Sequence, residues 1–291
     1  MKYVVDNAII MAAGFSSRLI PIAYEKPKAL IKVNGEVLIE RQIRQLKEAG
    51  IHNIIIVTGY KKEAFDYLVD KFNVRLIENE EYKERNNHSS LYAVKDYLRN
   101  SYICSSDLYF TDNPFTNICS GPFYATVFLE DKNREWCIKT NEKDFIERFV
   151  IGRKNNWVLR GHAFFTKRVS RRMLVVLERE YYKYKTLDKP WEQLYLENTN
   201  FLQMRSKQFP TSTIYKIDTL EQLKQVDPSY CNDLDCKVME ELCMKLNCEV
   251  KEVLKMQAVK DQSRDICGMK FIFERHRYFY NFNCKSLHRM K

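Results

Sequence analysis

The sequence predicts an α/β protein built on a mixed, mostly parallel sheet, with a small α+β appendage at the C-terminal end. Three observations carry this. Residues 8–11 and 54–57 are short, wholly apolar runs, as strands buried on both faces are. Between and after them, apolar residues recur at helical spacing, and a strand–helix–strand–helix–strand order implies right-handed crossovers and a parallel sheet. Beyond residue 228 the pattern changes to two helical runs and an aromatic, hairpin-like stretch.

Length and composition bound the function. A chain of 291 residues can bury one large core or a core with an appendage. No apolar run approaches the roughly 20 residues that a membrane helix needs, so no membrane insertion is expected. Asp6 interrupts the start where a secretion signal would continue apolar, and a cytoplasmic location follows as the expectation. Nine cysteines without a Cys-x-x-Cys pair point to reduced, mostly buried thiols. The net charge of +10 is diluted by acids until the last quarter, where Arg275, His276, Arg277, Lys285, His288, Arg289 and Lys291 gather. Such a tail solubilises more readily than it reads sequence, so no nucleic acid is expected and the positive charge suits phosphorylated small molecules.

The first strand empties into Ala12-Ala13-Gly14, a loop with almost no side-chain bulk, where a backbone can approach a ligand closely. Ser16 and Ser17 then offer hydroxyls, Arg18 a fork of donors, and Lys28 a second cation behind Pro27. Backbone N–H groups at a strand–loop–helix mouth, with an arginine and a lysine, suit a polyphosphate. No Gly-Lys-Ser/Thr follows, and only one glycine is present, so neither a P-loop nor a dinucleotide fingerprint is met.

The ordered set Ala12-Ala13-Gly14, Ser16-Ser17-Arg18-Leu19, Pro21 and Lys26-Pro27-Lys28-Ala29-Leu30 resembles the sugar-nucleotidyltransferase superfamily. Within it, Glu25-Lys26-Pro27-Lys28-Ala29-Leu30-Ile31-Lys32-Val33-Asn34-Gly35 is most similar to the bacterial CTP:phosphocholine cytidylyltransferases. The resemblance spans residues 7–228 and implies a Rossmann-like sheet of the nucleotidyltransferase type, a catalytic domain over 1–228 and an extension over 229–291. One departure is Ser16, where many relatives carry a second glycine.

Next in order, Asn34-Gly35 marks a turn, residues 37–49 form a helix closed by Gly50, and residues 53–60 form a strand ending at Gly59. Ligands sit at the carboxyl ends of such strands, which places Gly14 and Gly59 at the nucleotide. A helix over 61–72 and a strand over 74–77 follow. The polar cluster Arg85-Asn86-Asn87-His88-Ser89-Ser90 precedes a helical run at 91–94, and capping needs only one of these groups. The surplus suits a base edge, and the resemblance implies that this segment helps hold cytosine, with Asn87 and Ser90 as the contacts and His88 the weaker candidate.

Asp107 ends an apolar strand, and a carboxylate there calls for a cation partner. The resemblance implies that it binds Mg²⁺. The second acid that relatives often carry two residues earlier is Ser105 here. Strands are expected from 123 to 128, from Trp136, over 145–151 and over 158–165, with a turn across 130–135 and a close approach at Gly161. A long helix over 168–184 turns Leu174, Leu177 and Tyr181 to one face.

Asp188 and Glu192 flank Trp191 in a helix whose first turn is expected to include Pro190. Acids favour helix N-termini on electrostatic grounds alone. The resemblance implies more: an acid beside this tryptophan completes the metal site, here Glu192, so that Asp107 and Glu192 together hold Mg²⁺. Nucleotidyl transfer needs charge neutralised and atoms held in line, and an ionised phosphate nucleophile needs no general base. Arg18 and Lys28 are the cations expected at the departing pyrophosphate.

A quaternary ammonium is recognised by aromatic faces and nearby carboxylates. Trp136, Trp191, Asp188 and Tyr195 are the expected cage, with Trp136 and Trp191 at positions that resemble those near choline in the family. CTP and phosphocholine are therefore the expected small-molecule substrates. Phosphoethanolamine and 2-aminoethylphosphonate remain as alternative acceptors, and a catalytically silent nucleotide-binding regulator as an alternative class. Residues 229–291 read as helical runs up to 246 and over 249–256, then a hairpin over 266–282. The extension is similar to the start of a choline kinase-like domain but lacks its glycine-rich turn near Asp261-Gln262-Ser263-Arg264, so no kinase activity is expected. Its aromatics suit packing on the catalytic domain or a homodimer contact.

Overall fold

The computed structural model describes residues 1–131, 135–263 and 265–290. Lys132, Asn133 and Arg134 of the expected 130–135 turn lie outside the described residues, as do Arg264 and Lys291. The chain divides into two compact units, one of residues 1–14 and 39–216, the other of residues 15–38 and 217–291.

In the first unit, nine strands among the described residues form the central sheet. Ser101–Ser105, Asn7–Met11, Ile54–Thr58 and Arg75–Glu78 run parallel in that order. Their registers put Met11 between Val57 and Ser105, so the carboxyl ends of three strands finish level. Asn156–Phe165 pairs antiparallel with Ser101–Ser105 and continues the sheet through Trp136–Thr140 and Ile146–Ile151. Phe123–Leu129 joins it antiparallel, and Arg205–Phe209 lies parallel beside that strand. Ala8, Ile9 and Ile10 are wholly buried, as strands covered on both faces must be.

Gly161 stands where the expected close approach occurs: a Cβ there would lie 2.9 Å from that of Ala125, and its φ of +137° suits glycine. The pairing with Phe123–Leu129 shifts register at this point, between Tyr124 and Thr126. Leu38–Glu48 buries Ile39, Ile43 and Leu46, and Gly50, at φ +81°, closes the helix with Ile51 N–H donating to Leu46 O. The helix expected over 61–72 is present as a 3₁₀ turn, Lys62–Phe65, and a helix, Tyr67–Phe72, and Lys61 at φ +48° stands outside both. Lys167–Tyr181 is capped by Thr166 and buries Val169, Met173, Val176, Leu177 and Tyr181; it ends three residues before the expected 184. Pro190 is the N-cap of Trp191–Leu196 rather than part of its first turn.

In the second unit, residues 15–38 are tied to the later segment by many polar links. Lys26 lies 2.8 Å from Asp235, Asn34 N–H donates to Asp227 at 2.7 Å, and Tyr230 donates to Lys32 O. The Tyr24 ring packs on Phe282. Lys237–Leu246 is the first expected helical run. The second is a short 3₁₀ turn, Val250–Glu252, followed by a strand, Leu254–Lys260, which ladder pairing with Ile266–Phe273 draws out of helix. The expected hairpin is present as Ile266–Phe273 and His276–Asn281, turning through Glu274 and Arg275, both at positive φ.

Candidate active site

The level strand ends of the first unit set the loop. Ala12 N–H donates to Val57 O at 2.8 Å, and Ala13 O accepts from Tyr60 N–H at 2.9 Å, so both alanines are pinned to the neighbouring strand and its turn. Gly14 follows with open space around it: a Cβ there would meet nothing within 4 Å. Gly59 differs. A Cβ on it would lie 2.9 Å from Ala13 O and from the Tyr82 ring, so its bareness serves the packing of the loop.

Asp107 occupies the turn between Ser101–Ser105 and Leu108–Phe110 and is buried. Glu192 stands in the first turn of Trp191–Leu196. Burial, and to a lesser degree the charge of Asp107, push the Glu192 carboxyl up from its ordinary value, while Asn87 and Lys216 draw it down. Asp107 and Glu192 thus lie within electrostatic reach of each other. Lys216 is set there by the short ladder that pairs it with Leu108. The Tyr124 phenol, stacked on Trp191 at 5.5 Å, is pushed well up by burial and by Glu192, Asp107 and Glu135.

Two carboxylates within electrostatic reach of each other repel, and a divalent cation answers that repulsion. No group of three or more His, Cys, Asp and Glu suited to a metal occurs among the described residues. The pair fits Mg²⁺ none the less, since Mg²⁺ takes one or two carboxylates and completes its shell with water and substrate phosphates.

The polar cluster at 86–90 begins its helix itself, at His88, instead of preceding one at 91. It also clips the loop that carries Glu192. Asn86 N–H donates to Leu187 O at 2.8 Å, and Asn86 Nδ2 to Asp188 O at 2.9 Å. His88 Nδ1 lies 2.7 Å from Lys189 O, which makes it the protonated nitrogen, and burial lowers the ring's pKa. Asn87 Oδ1 accepts from Trp191 N–H at 2.8 Å, while its Nδ2 donates to Glu192 Oε2 at 3.1 Å. Ser90, buried, accepts from Asn79 Nδ2 at 3.1 Å, and Ser89 from the same nitrogen. The amide and hydroxyl expected at a base edge are thus bonded within the protein.

The expected cage is only partly open. Trp191 is 1% exposed and Tyr195 0%; both belong to the core, where Tyr124 and Phe165 cover the Trp191 ring. They are corrected from cage walls to core residues, because Trp191, Leu194 and Tyr195 form the buried stripe of their helix. Trp136 is half-buried against Phe149, and Asp188 is exposed in the clipped loop.

In the second unit, Ser16 and Ser17 open a 3₁₀ turn, with Leu19 N–H donating to Ser16 O. Arg18 and Lys28 meet on one acid that the sequence reading did not assign: Asp218, 3.2 Å from Arg18 and 2.9 Å from Lys28. Asp218 is itself fixed, its N–H donating at 2.8 Å to Gln222 of the capping box that starts Leu220–Val226. The Thr219-x-x-Gln222 pattern was the available signal that a helix starts here and that the residue before it is held. Lys216 and Tyr124 were likewise unassigned, and nothing in their local sequence singles them out.

Comparison with known proteins places the chain among nucleotidyltransferases. Residues 8–117 match the MobA-like NTP transferase domain. The choline-phosphate cytidylyltransferase of Streptococcus pneumoniae is 34% identical over 227 residues, covering 78% of this chain and 99% of that protein. The 2-aminoethylphosphonate cytidylyltransferase of Lancefieldella rimae is 31% identical, covering 77% and 93%. The solved CTP:phosphocholine cytidylyltransferase of S. pneumoniae superposes with a TM-score of 0.75 over 78% of this chain and 99% of its own, at 34% identity. No described helix is long and apolar enough to cross a membrane.

Proposed function

Because the chain belongs to the choline-phosphate cytidylyltransferase family of MobA-like nucleotidyltransferases, we propose that it transfers the cytidylyl group of CTP to phosphocholine, giving CDP-choline and pyrophosphate. The observation that carries this reading is that buried Asp107 and Glu192 lie within electrostatic reach of each other in the unit that also carries the bare Ala12-Ala13-Gly14 loop.

A phosphate oxygen of the acceptor attacks the α-phosphorus of CTP, and the bond to the β-phosphate oxygen breaks as pyrophosphate leaves. The nucleophile arrives ionised, so no side chain has to take a proton from it. What the protein supplies is charge and alignment. Asp107 and Glu192 would hold Mg²⁺, which when bound neutralises phosphoryl charge and lines up the reacting oxygens. Lys216 adds a positive charge within reach of Glu192. Arg18 and Lys28, the cations the resemblance implies for pyrophosphate, are both held by Asp218 within the second unit.

Transfer to 2-aminoethylphosphonate or phosphoethanolamine is the second reading. It draws support from the burial of Trp191 and Tyr195, which leaves Trp136 and Asp188 from the expected cage, a poorer site for a quaternary ammonium than for a hydrogen-bonding primary one. The test is pyrophosphate release with Mg²⁺ across CTP, UTP, ATP and GTP, each against phosphocholine, phosphoethanolamine and 2-aminoethylphosphonate. Highest kcat/KM for CTP with phosphocholine supports the proposal. Preference for a primary amine supports the second reading, and CTP binding without turnover of any acceptor overturns both in favour of a silent regulator.

A further inference from the structure

The Asn87 carboxamide sits between two groups that fix its sense. Trp191 N–H can only donate, so the amide atom 2.8 Å from it is oxygen. The nitrogen is then the atom 3.1 Å from Glu192 Oε2, and an ionised carboxylate can only accept. The partners agree, so the amide has one orientation without appeal to convention. Its neighbours reinforce it: Asn86 Oδ1 accepts from Asn87 N–H at 2.7 Å, and Asn86 and His88 bind the carbonyls of residues 187–189 on either side.

We infer that Asn87 is a positioning residue, whose carboxamide holds the Glu192 carboxylate beside Asp107 and thereby builds the divalent-cation site, an inference that rests on the reaction proposed above. Glutamate has three rotatable side-chain bonds, and at this helix start the Glu192 carboxylate meets its own backbone N–H as well as Asn87. A donor anchored to the same helix turn narrows the orientations left to it. The arrangement differs from a base contact in a way that can be measured. Trp191 engages one lone pair of the amide oxygen and Glu192 one hydrogen of the amide nitrogen; a base contact would draw on the lone pair and the N–H that remain, and would show in KM for CTP and in base choice instead of in metal affinity.

The experiment is a double-mutant cycle in the full-length protein with Asn87→Ala, Glu192→Ala and both together. Mn²⁺ is titrated in the presence of CTP without acceptor, and free Mn²⁺ is followed by electron paramagnetic resonance. A supporting residue of this kind is expected to weaken Mn²⁺ binding by about 10–100-fold on substitution. In the Glu192→Ala background, Asn87→Ala should then change Mn²⁺ affinity by less than about twofold, since the effect passes through Glu192. In turnover, kcat should fall with the metal affinity while KM for CTP stays within about threefold. If the alanine variant does not fold, Asn87→Ser takes its place in the cycle with the same expectations. Unchanged Mn²⁺ affinity in the single variant, or a raised KM for CTP with relaxed choice between CTP and UTP, overturns the inference. Failure of the wild-type protein to turn over any acceptor would overturn the reaction alone, because the Mn²⁺ titration decides the role of Asn87 without turnover.

Discussion

Lys28 Nζ lies 2.9 Å from one oxygen of Asp218, and the other oxygen of that carboxylate lies 3.2 Å from Arg18. Two cations separated by ten positions in the chain are thus ordered by one acid, which is held by the helix that follows it. Arg18 is largely exposed and gains little stability from the contact, whereas Lys28 and Asp218 are mostly covered. Asp218→Asn keeps the shape and removes the charge. It is expected to lower kcat/KM for CTP roughly tenfold to a hundredfold, about 1.4–2.7 kcal/mol of transition-state binding. Steady-state kinetics of Asp218→Asn, Lys28→Met and the double variant check this: the double should lose less than the sum, because the residues act as a unit. Additive losses would separate them.

Asp107→Asn tests the acid pair from the other side. The substitution removes one of two neighbouring negative charges, so the fold should lose nothing and the Glu192 carboxyl should titrate closer to its ordinary value. Turnover should fall by roughly a thousandfold, the order seen when a group that meets developing charge is removed. Pyrophosphate release and thermal melting, measured together, decide it. Near-normal turnover would take Asp107 out of the metal site.

Some of this was legible in the sequence and some was not, and the reasons are physical. Gly50 and Gly161 were readable because a helix stop and a close strand approach exclude larger residues whatever surrounds them. The strand Leu254–Lys260 was not, because a short run with helical spacing becomes a strand once a ladder partner 12 residues away offers its backbone. Asn87 shows another limit. A surplus of amides and hydroxyls does not say in sequence that one of its partners is a helix start about 100 residues later, and that contact comes only with the fold. Trp191 and Tyr195 carried a usable signal that chemistry overrode: their spacing with Leu194 is that of a buried helix stripe.

His162 gives a pH prediction. Its ring is wholly buried among Tyr102, Phe110, Phe115, Phe123 and Phe209, and neither nitrogen has a hydrogen-bond partner among the described residues. Burial, with Lys207 adding to it, drives its pKa down to about 3. Below about pH 6.5 the unfolded chain takes up a proton at this residue that the folded chain refuses until about pH 3. The unfolded state binds more protons in that window, so stability falls as pH falls, by up to about 1.4 kcal/mol per pH unit from this group. His162→Phe should flatten the urea-unfolding free energy between pH 4 and 6 by about that slope. It should also raise stability at pH 7 by roughly 1–3 kcal/mol, by removing two unsatisfied buried polar atoms. An unaltered slope would mean that the imidazole is protonated in the folded protein.

Gly14 and Gly59 make opposite predictions, because a Cβ on Gly59 would meet the protein and a Cβ on Gly14 would meet open space. A Cβ on Gly59 would stand 2.9 Å from the Ala13 carbonyl oxygen, a backbone atom that cannot rotate away. Gly59→Ala must move the loop or its strand, at a cost of about 1–3 kcal/mol in stability. Any loss of activity should track that displacement. A Cβ on Gly14 meets nothing within 4 Å, and its φ is not positive, so Gly14→Ala should leave the melting temperature within a degree or two. If the triphosphate runs against this backbone, the added methyl stands in its path, and KM for CTP should rise roughly tenfold or more with little change in stability. Calorimetry and nucleotide kinetics on both variants separate the roles. A Gly14→Ala enzyme with unchanged KM would show that CTP does not approach the loop at this residue.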